Sequence, residues 1–342
     1  MRVGPQSAGA LPGPAAYGQG GEKPTVTDAN LVLGYLNPSY FLGGKMSLSV
    51  NKAKEAITPL GERLGVSTFE AAEAIRRVVN ENMANALRLV AVKRGVDPQE
   101  FSLVTFGGAG PLHAVAIAKA LRIPRVLIPL HPGHCSAFGA LISDRRVDKI
   151  LTRMYHSYDL KAVILDEEFR QLTKSAAEEL SREGFRENPI LFRSIDMRYQ
   201  GQNYELEVNI GIEPIDETTV AKALDQFASQ HEAFSGASYP DAVIELVNLR
   251  VTAIGPSSKI KLEKIKSGDI PHPVLRRPVH FIRNGFQETD IYRREDLPKG
   301  CRLNGPVIVE EVASTTIVPD GYIFMVDDYG LITIFSEEEK IA

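Results

Sequence analysis

The sequence predicts an α/β protein, and three consecutive segments between residues 103 and 129 carry that prediction. Residues 103–106 (LVTF) are typical of a short buried strand, residues 112–121 (LHAVAIAKAL) of a helix, and residues 125–129 (RVLIP) of a second strand. The glycine-rich stretch GGAGP joins the first strand to the helix. A strand, a crossover helix and a second strand in this order predict two neighbouring parallel strands.

Two helices are predicted upstream of these strands. Ser67 and Glu70 have the spacing of a capping box, and apolar residues follow them at helical spacing. This helix is expected to end near Gly95. A shorter helix is predicted over residues 51–64, with an interruption near Pro59, because proline removes a helical hydrogen bond.

The pattern changes after about residue 150. Residues 166–182 and 218–234 are predicted as helices, and residues 193–210 and 243–253 as strands, which together suggest a small α+β domain. From about residue 271, short apolar runs alternate with Gly, Pro and Asp turns and predict a β-rich region. We therefore expect three regions, 1–150, 151–265 and 266–342.

Composition excludes several classes of protein. The chain of 342 residues has a formal net charge of -4, and its composition gives no reason to expect a nucleic-acid partner. No apolar run is long enough to span a bilayer. The two cysteines, Cys135 and Cys301, lie far apart, so a disulfide framework is not expected. A cytoplasmic protein with no membrane association fits these features best.

The stretch FGGAGP is the sharpest candidate for a functional site. Gly107, Gly108 and Gly110 directly follow a predicted strand, and ligands of open α/β sheets bind at that edge of the sheet. The helix that starts near Pro111 offers free N–H groups and the positive end of its dipole. Two interpretations remain open here, a nucleotide-binding loop and a simple tight turn between strand and helix.

Further polar residues are candidates for ligand contacts. His113, in the first turn of that helix, is either a packed residue or a ligand contact. Asp28 is either a helix N-cap or a ligand contact, and Asn30 accompanies it. His131, His134 and Cys135 share one loop, but they lack a matching second set of ligands, so no metal site is expected. The charged residues at 144–148 are predicted to form the solvent-exposed face of a helix.

Long segments of the chain resemble the hydantoinase A/oxoprolinase family. The resemblance rests on residues 3–36 (VGPQSAGALPGPAAYGQGGEKPTVTDANLVLGYL), FGGAGPLHA, PGHCSAFGALISDRRVD, RYQGQNYEL and GPVIVEEVASTTIVPDG. These segments occur in order from residue 3 to residue 321, so the resemblance covers nearly the whole chain. The chain is similar to the C-terminal half of the A-type subunit of this family.

The resemblance implies a fold and a nucleotide. Members of the family use ATP and resemble the actin and sugar-kinase superfamily, in which two ribonuclease-H-like lobes close over the nucleotide. Residues 1–150 would then form part of such a lobe, followed by the α+β and β-rich regions. Residues 106–113 would support the adenosine, with the contacts made by Gly107, Gly108, Ala109, Gly110 and Pro111. Residues 136–144 would form the helix that links the lobes.

The resemblance also implies partners. The family's two phosphate hairpins, of the type D-x-GGT-x-[ST]-D, do not occur in these 342 residues. We therefore expect the groups that bind Mg²⁺ and phosphate to come from an upstream half of the A-type subunit, encoded separately or absent from a truncated sequence. A B-type hydantoinase/oxoprolinase subunit is a further expected partner, and an oligomer is expected because missing upstream strands would leave sheet edges exposed.

Three functions remain open after the sequence has been read. The first is an ATP-dependent hydrolase that opens a cyclic amide, such as a lactam or imide, and that is inactive as this chain alone. The second is a subunit of an ATP-dependent, biotin-free ketone carboxylase of the acetone or acetophenone type. The third is a non-catalytic scaffold half. No catalytic residue can be assigned from the sequence.

Overall fold

The computed structural model describes residues 1–237, 239–257, 260–282 and 284–338. The chain divides into two compact units, residues 1–140 together with 261–342, and residues 141–260. This division differs from the three expected regions, because the C-terminal strands belong to the same unit as the N-terminal helices. Of the expected regions, positions 238, 258–259, 283 and 339–342 lie outside the described residues.

Seven α-helices and thirteen strands are present in the described ranges. The helices are α1 (Val26–Val32), α2 (Val50–Leu64), α3 (Thr68–Arg94), α4 (Gly110–Leu121), α5 (Cys135–Ile142), α6 (Ala162–Arg182) and α7 (Glu217–Ser235). The strands are β1 (Ser102–Val104), β2 (Arg125–Ile128), β3 (Arg145–His156), β4 (Ile190–Tyr199), β5 (Leu206–Ile210), β6 (Ile244–Gly255), β7 (Leu275–Phe281), β8 (Gly285–Arg293), β9 (Arg302–Asn304), β10 (Val307–Glu310), β11 (Thr315–Val318), β12 (Tyr322–Val326) and β13 (Ile332–Ser336).

The long helix α3 confirms the end signals read from the sequence. Ser67 is its N-cap, and Glu70 completes the capping box by accepting from the Ser67 backbone N–H at 2.8 Å. Gly95 ends the helix in the left-handed conformation that glycine adopts at low cost. The interruption expected in α2 is wrong, because α2 continues through Pro59 to Leu64.

The first unit contains a five-stranded sheet in the order β1-β2-β13-β12-β9. β1 and β2 are parallel, as predicted, with Ser102 opposite Arg125. β13 pairs antiparallel with β2, so that Ile332 lies opposite Ile128. This pairing joins residues that are about two hundred positions apart, and it explains why the C-terminal region is not a separate unit.

A second sheet of the first unit has the order β11-β10-β8-β7. β10 runs parallel to β8 and antiparallel to β11. Buried apolar residues from this sheet and from helices α1 to α3 form one core, among them Tyr35, Ile57, Val279 and Ile308. A second core of this unit surrounds Phe324 and includes residues of β2 and α4.

The second unit is a four-stranded antiparallel sheet, in the order β3-β6-β4-β5, with helices α6 and α7. Its core includes Phe169, Phe227 and Leu249, each almost fully buried. The helix expected at residues 144–148 is wrong, because residues 145–156 form β3. Arg146 and Asp148 lie two positions apart on this strand and therefore share one face, where their side chains form an ion pair at 2.8 Å.

A buried ion network lies at the end of β10. The carboxylate of Glu310, 2% exposed, accepts from Arg277 and from Arg293, each at 2.6 Å. Arg277 also donates to the backbone oxygen of Gly34 at 2.9 Å. The network therefore fixes β7, β8 and β10 to the segment after α1.

None of the helices within the described ranges has the length and apolar character needed to cross a membrane.

We expect Glu310→Gln to destabilise the protein by about 2–4 kcal/mol, because it removes a buried counter-charge from two partly buried arginines. The free energy of unfolding from urea titration measures this. The matched control is Asp290→Asn, which breaks the ion pair with the exposed Arg276 and should have little effect. Equal losses for the two variants would contradict the role given to Glu310.

Candidate functional site

A glycine loop, residues 105–110, follows β1 and leads into α4. Its backbone is tied to β2 and to the segment after it. The N–H of Thr105 donates to Leu127 O at 2.9 Å, and the N–H of Gly107 donates to Pro132 O at 2.7 Å. Gly107 has a φ of +87°, a conformation that residues with a Cβ rarely adopt. A Cβ at this position would meet no described atom within 4 Å, so the loop faces open space at Gly107.

The segment after β2 forms the second part of the site. Because β1 and β2 are parallel, their carboxyl ends lie at the same sheet edge, where ligands of α/β proteins bind. Residues Pro132–His134 form a short 3-10 helix that leads directly into α5. His131, just before it, has a positive φ of 56°, which is uncommon for a residue with a side chain.

The turn between β10 and β11, residues 311–314, is the third part of the site. A Cβ at Gly108 would lie 3.1 Å from Ala313 O, and one at Gly133 would lie 2.7 Å from the same oxygen. The Ser314 hydroxyl donates to Gly107 O at 3.4 Å. The turn therefore packs against both loops. Close approach requires glycine at 133 and leaves little room for a Cβ at 108. Sequence reasoning missed this turn, because it lies some two hundred residues downstream.

The start of α4 offers hydrogen-bond donors to a ligand. Its N-cap is Ala109, which has no side-chain oxygen to accept from the first turn. Pro111 occupies the first turn, as predicted, and it is buried, whereas Gly108 and Ala109 are exposed. The exposed backbone of the glycine loop and the uncapped helix end suit a polar or negatively charged group.

His113 has the environment of a packed residue. Its side chain is 5% exposed, and its Nδ1 lies 2.7 Å from Asn80 Oδ1. Burial, together with the nearby positive charge of Arg76, lowers the pKa of His113 to about 3. The imidazole is therefore neutral at physiological pH. Of the two readings of the sequence, the structure favours the packed histidine.

Asp28 fixes the glycine- and proline-rich N-terminal segment. It is the third residue of α1, and Thr25 rather than Asp28 is the N-cap, which corrects the sequence expectation. One carboxylate oxygen accepts from Ala16 N at 2.7 Å, and the other accepts from Thr25 N and Thr25 Oγ1. Asp28 is completely buried, and Asn30 is 2% exposed. Asp28 therefore holds the N-terminal segment to the start of α1, whereas the buried Asn30 Oδ1 has no hydrogen-bond partner among the described residues.

Glu311, the first residue of the turn, and Arg294 have shifted pKa values. Burial raises the pKa of Glu311 to about 7, although the positive charge of Arg294 opposes the shift. Burial also lowers the pKa of Arg294, to about 10. The pKa of the Cys135 thiol is raised by burial and by the Glu311 charge, so this cysteine is not activated as a nucleophile. Within the described residues, no group of three or more His, Cys, Asp or Glu side chains is arranged to hold a metal ion.

Family models match both parts of the chain. The hydantoinase/oxoprolinase model matches residues 1–149, and the hydantoinase/oxoprolinase C-terminal domain matches residues 156–336. Together the two models cover most of the chain, and the chain belongs to the hydantoinase/oxoprolinase family.

Individual relatives support this assignment. An uncharacterised protein of Methanocaldococcus jannaschii is 42% identical over 337 residues, which are 98% of this chain and 48% of that protein. The solved structure of the ATP-dependent caprolactamase from Pseudomonas jessenii is 32% identical, with a TM-score of 0.77 over 98% of this chain and 50% of that chain. A nucleotide-free structure of acetone carboxylase is 27% identical, with a TM-score of 0.81 over 98% of this chain and 49% of that chain.

The chain therefore spans about half the length of the relatives it matches. Its likeness to the two solved structures confirms the fold class expected from the sequence, an α/β protein with a partial ribonuclease-H-like lobe followed by α+β and β-rich regions.

We expect Gly133→Ala to destabilise the protein by about 1–3 kcal/mol, because the added Cβ would lie 2.6 Å from the Ala313 Cβ. The change in Tm measures it. Gly139→Ala is the matched control, since a Cβ there would meet no described atom within 4 Å. If the two variants unfold at the same temperature, the turn does not pack against this loop as described.

Acidification should destabilise the protein through His113. The pKa of His113 in the folded chain, about 3, lies below its value of about 6.5 in the unfolded chain. Between these two pH values the unfolded chain binds a proton at this residue and the folded chain does not. Stability is therefore present above about pH 6.5 and is lost as the pH falls, by about 2 kcal/mol at pH 5. Urea unfolding between pH 7 and pH 5 measures this slope.

The variant His113→Gln should reduce the slope, and replacement of the exposed His272 by Gln should leave it unchanged. An unchanged slope in the His113 variant would mean that other groups cause the acid sensitivity.

Proposed function

We propose that this chain is the C-terminal half of the A-type subunit of an ATP-dependent enzyme that opens a cyclic amide. The observation that carries the proposal is the glycine loop at the carboxyl edge of the parallel strands β1 and β2, open at Gly107 and followed by the uncapped end of α4. The caprolactamase of Pseudomonas jessenii, which is ATP-dependent, shares this fold.

In this proposal the glycine loop supports the adenosine of ATP. Gly107, Gly108, Ala109 and Gly110 present backbone rather than side chains, which allows a planar base and a ribose to approach closely. Pro111 shapes the start of α4 from a buried position. Asp28 and His113 act indirectly, because their buried side chains hold the surrounding elements in place through hydrogen bonds to Ala16 N and Asn80. Asn30 lies buried two residues after Asp28 in α1.

ATP would activate the amide by phosphorylating its oxygen, which makes the carbonyl carbon easier to attack by water. The contribution of this chain is positioning, because a glycine loop supplies neither a general base nor charge to neutralise the phosphates. Mg²⁺ and the phosphates would be bound by an upstream half, and the hydrolytic step would need a B-type partner. One relative is named caprolactamase subunit alpha, which supports a multi-subunit enzyme.

A second candidate function is the carboxylation of a ketone. The observation that favours it is the likeness to acetone carboxylase, whose structure superposes on 98% of this chain. Because the two relatives share this fold, the choice between them depends on the substrate. Turnover of a lactam without bicarbonate supports the hydrolase, whereas turnover of a ketone that requires bicarbonate supports the carboxylase.

We expect Gly107→Ala to weaken binding of Mg·ATP by about tenfold or more, because the new methyl group occupies the open face of the loop. Calorimetry on this chain together with the upstream half of the A-type subunit measures the affinity. Gly184→Ala is the matched control, since Gly184 also has a positive φ, +93°, with no described atom near its Cβ position. Equal affinities in the two variants would argue against an adenosine site at this loop.

Assembly of both halves with a B-type subunit then tests the reaction. The proposal predicts release of ADP that depends on a lactam such as caprolactam, and no such release by this chain alone. Absence of turnover on every lactam and hydantoin tried would remove the hydrolase proposal.

A further inference from the structure

The turn of residues 311–314 is in direct contact with the glycine loop. The Glu311 N–H donates to Ser314 O at 2.9 Å, which closes the turn. Ser314 then contacts Gly107 through its hydroxyl, and Ala313 O packs against the Gly108 backbone. A shift of Glu311 that moves the turn must therefore move the glycine loop or break these contacts.

Two oppositely charged side chains, Glu311 of the turn and Arg294, each carry buried atoms without a hydrogen-bond partner. Arg294 is 6% exposed, and its Nη2 donates to the backbone oxygens of Gly330 and Ile128. Its Nε and Nη1 have no partner among the described residues, and neither has Glu311 Oε1. Buried polar atoms are normally paired, so these atoms keep an unused capacity for hydrogen bonding.

The charge of Glu311 is the variable part of this arrangement. The charge of Arg294 acts on Glu311, the charge of Glu311 acts on Cys135, and Asp327 acts in turn on Arg294. His131 and His134 lie in the neighbouring loop. Burial brings the pKa of Glu311 to about 7, so its carboxyl gains or loses a charge in the neutral range.

We propose that Glu311 is a positioning residue for the glycine loop, and that the turn of residues 311–314 transmits its change of charge to Gly107. The ionised carboxylate is drawn toward the unpartnered nitrogens of Arg294, and the neutral acid is not. The coupling itself stands on the contacts of the turn. Its consequence for a nucleotide rests on the proposed function of the glycine loop.

Amide chemical shifts measure the coupling without any ligand. In the wild-type chain, the ¹⁵N–¹H signals of Gly107, Gly108 and Ser314 should shift together between pH 5 and pH 9, with a midpoint near 7. In Glu311→Gln, which keeps the size and polarity of the side chain, the same signals should not titrate in this range. His131→Gln and His134→Gln should retain the wild-type titration.

The proposal is wrong if the wild-type signals do not titrate, or if they still titrate in the Glu311 variant and stop in either histidine variant. Should Glu311→Gln fail to fold, Glu311→Asp keeps the test decisive. It preserves the ionisable group but changes its distance from Arg294, so the midpoint should move. An unmoved midpoint would contradict the proposal.

Nucleotide affinity measures the consequence. With the upstream half present, wild-type affinity for Mg·ADP should fall by about fivefold or more between pH 6 and pH 8.5, because Glu311 gains a negative charge in the turn that contacts the loop. The affinity of Glu311→Gln for Mg·ADP should fall less over the same pH range. The decrease that remains in this variant measures the effect of ionisation of the phosphates.

The two proposals fail separately. Amide titration without nucleotide binding at any pH removes the proposed function and keeps the role of Glu311. Nucleotide binding with equal pH dependence in wild type and Glu311→Gln keeps the proposed function and removes the consequence drawn here.

Discussion

The pairing of β13 with β2 is the constraint on which the site depends. The parallel pair β1 and β2 is short, and two strands alone bury too little surface to be stable in water. β13 extends this pair from the other side, and β12 and β9 complete the sheet. The same pairing commits C-terminal strands to the first unit, and the turn between β10 and β11, which belongs to the second sheet of that unit, lies beside the glycine loop. The site is therefore assembled from three segments that the two sheets of this unit bring together.

Packing around the glycines shows why these segments need glycine for different reasons. At Gly107 the backbone conformation excludes other residues and leaves open space. At Gly108 and Gly133 the conformation is ordinary, but the oxygen of Ala313 leaves little room for a Cβ at 108 and none at 133. Gly107 thus leaves the backbone open to solvent, whereas Gly108 and Gly133 serve contact within the protein. A motif of closely spaced glycines combines both uses.

Local patterns predicted the local structure well. The capping box of Ser67 and Glu70, the end of α3 at Gly95 and the parallel pair β1 and β2 all follow from short-range chemistry, and all are present. The charged segment at 144–148 was misread as helix, because alternating charges suit an exposed strand as well as a helix face. The contributions of Glu311 and Ser314 could not be predicted, because they depend on contact between this turn and a loop some two hundred residues upstream. The sequence pattern around Asp28 and Asn30 did not reveal that both side chains are buried.

Glu310 and Glu311 are neighbours in the chain, but their carboxyl groups lie in different environments. Successive side chains of a strand point to opposite sides, so Glu310 enters a cage of two arginines while Glu311 lies beside Arg294 and Cys135. A slip of β10 by one residue would exchange the two carboxyls, and the arginine cage would then hold the wrong acid. Because the two side chains are identical, they cannot themselves distinguish the correct register from the shifted one. The apolar residues before them, Ile308 and Val309, do so, since they are fully buried on opposite faces of the strand in different cores. The packing of those two cores therefore fixes the register of β10. It determines which glutamate is held by two arginines and which glutamate has its pKa raised by burial.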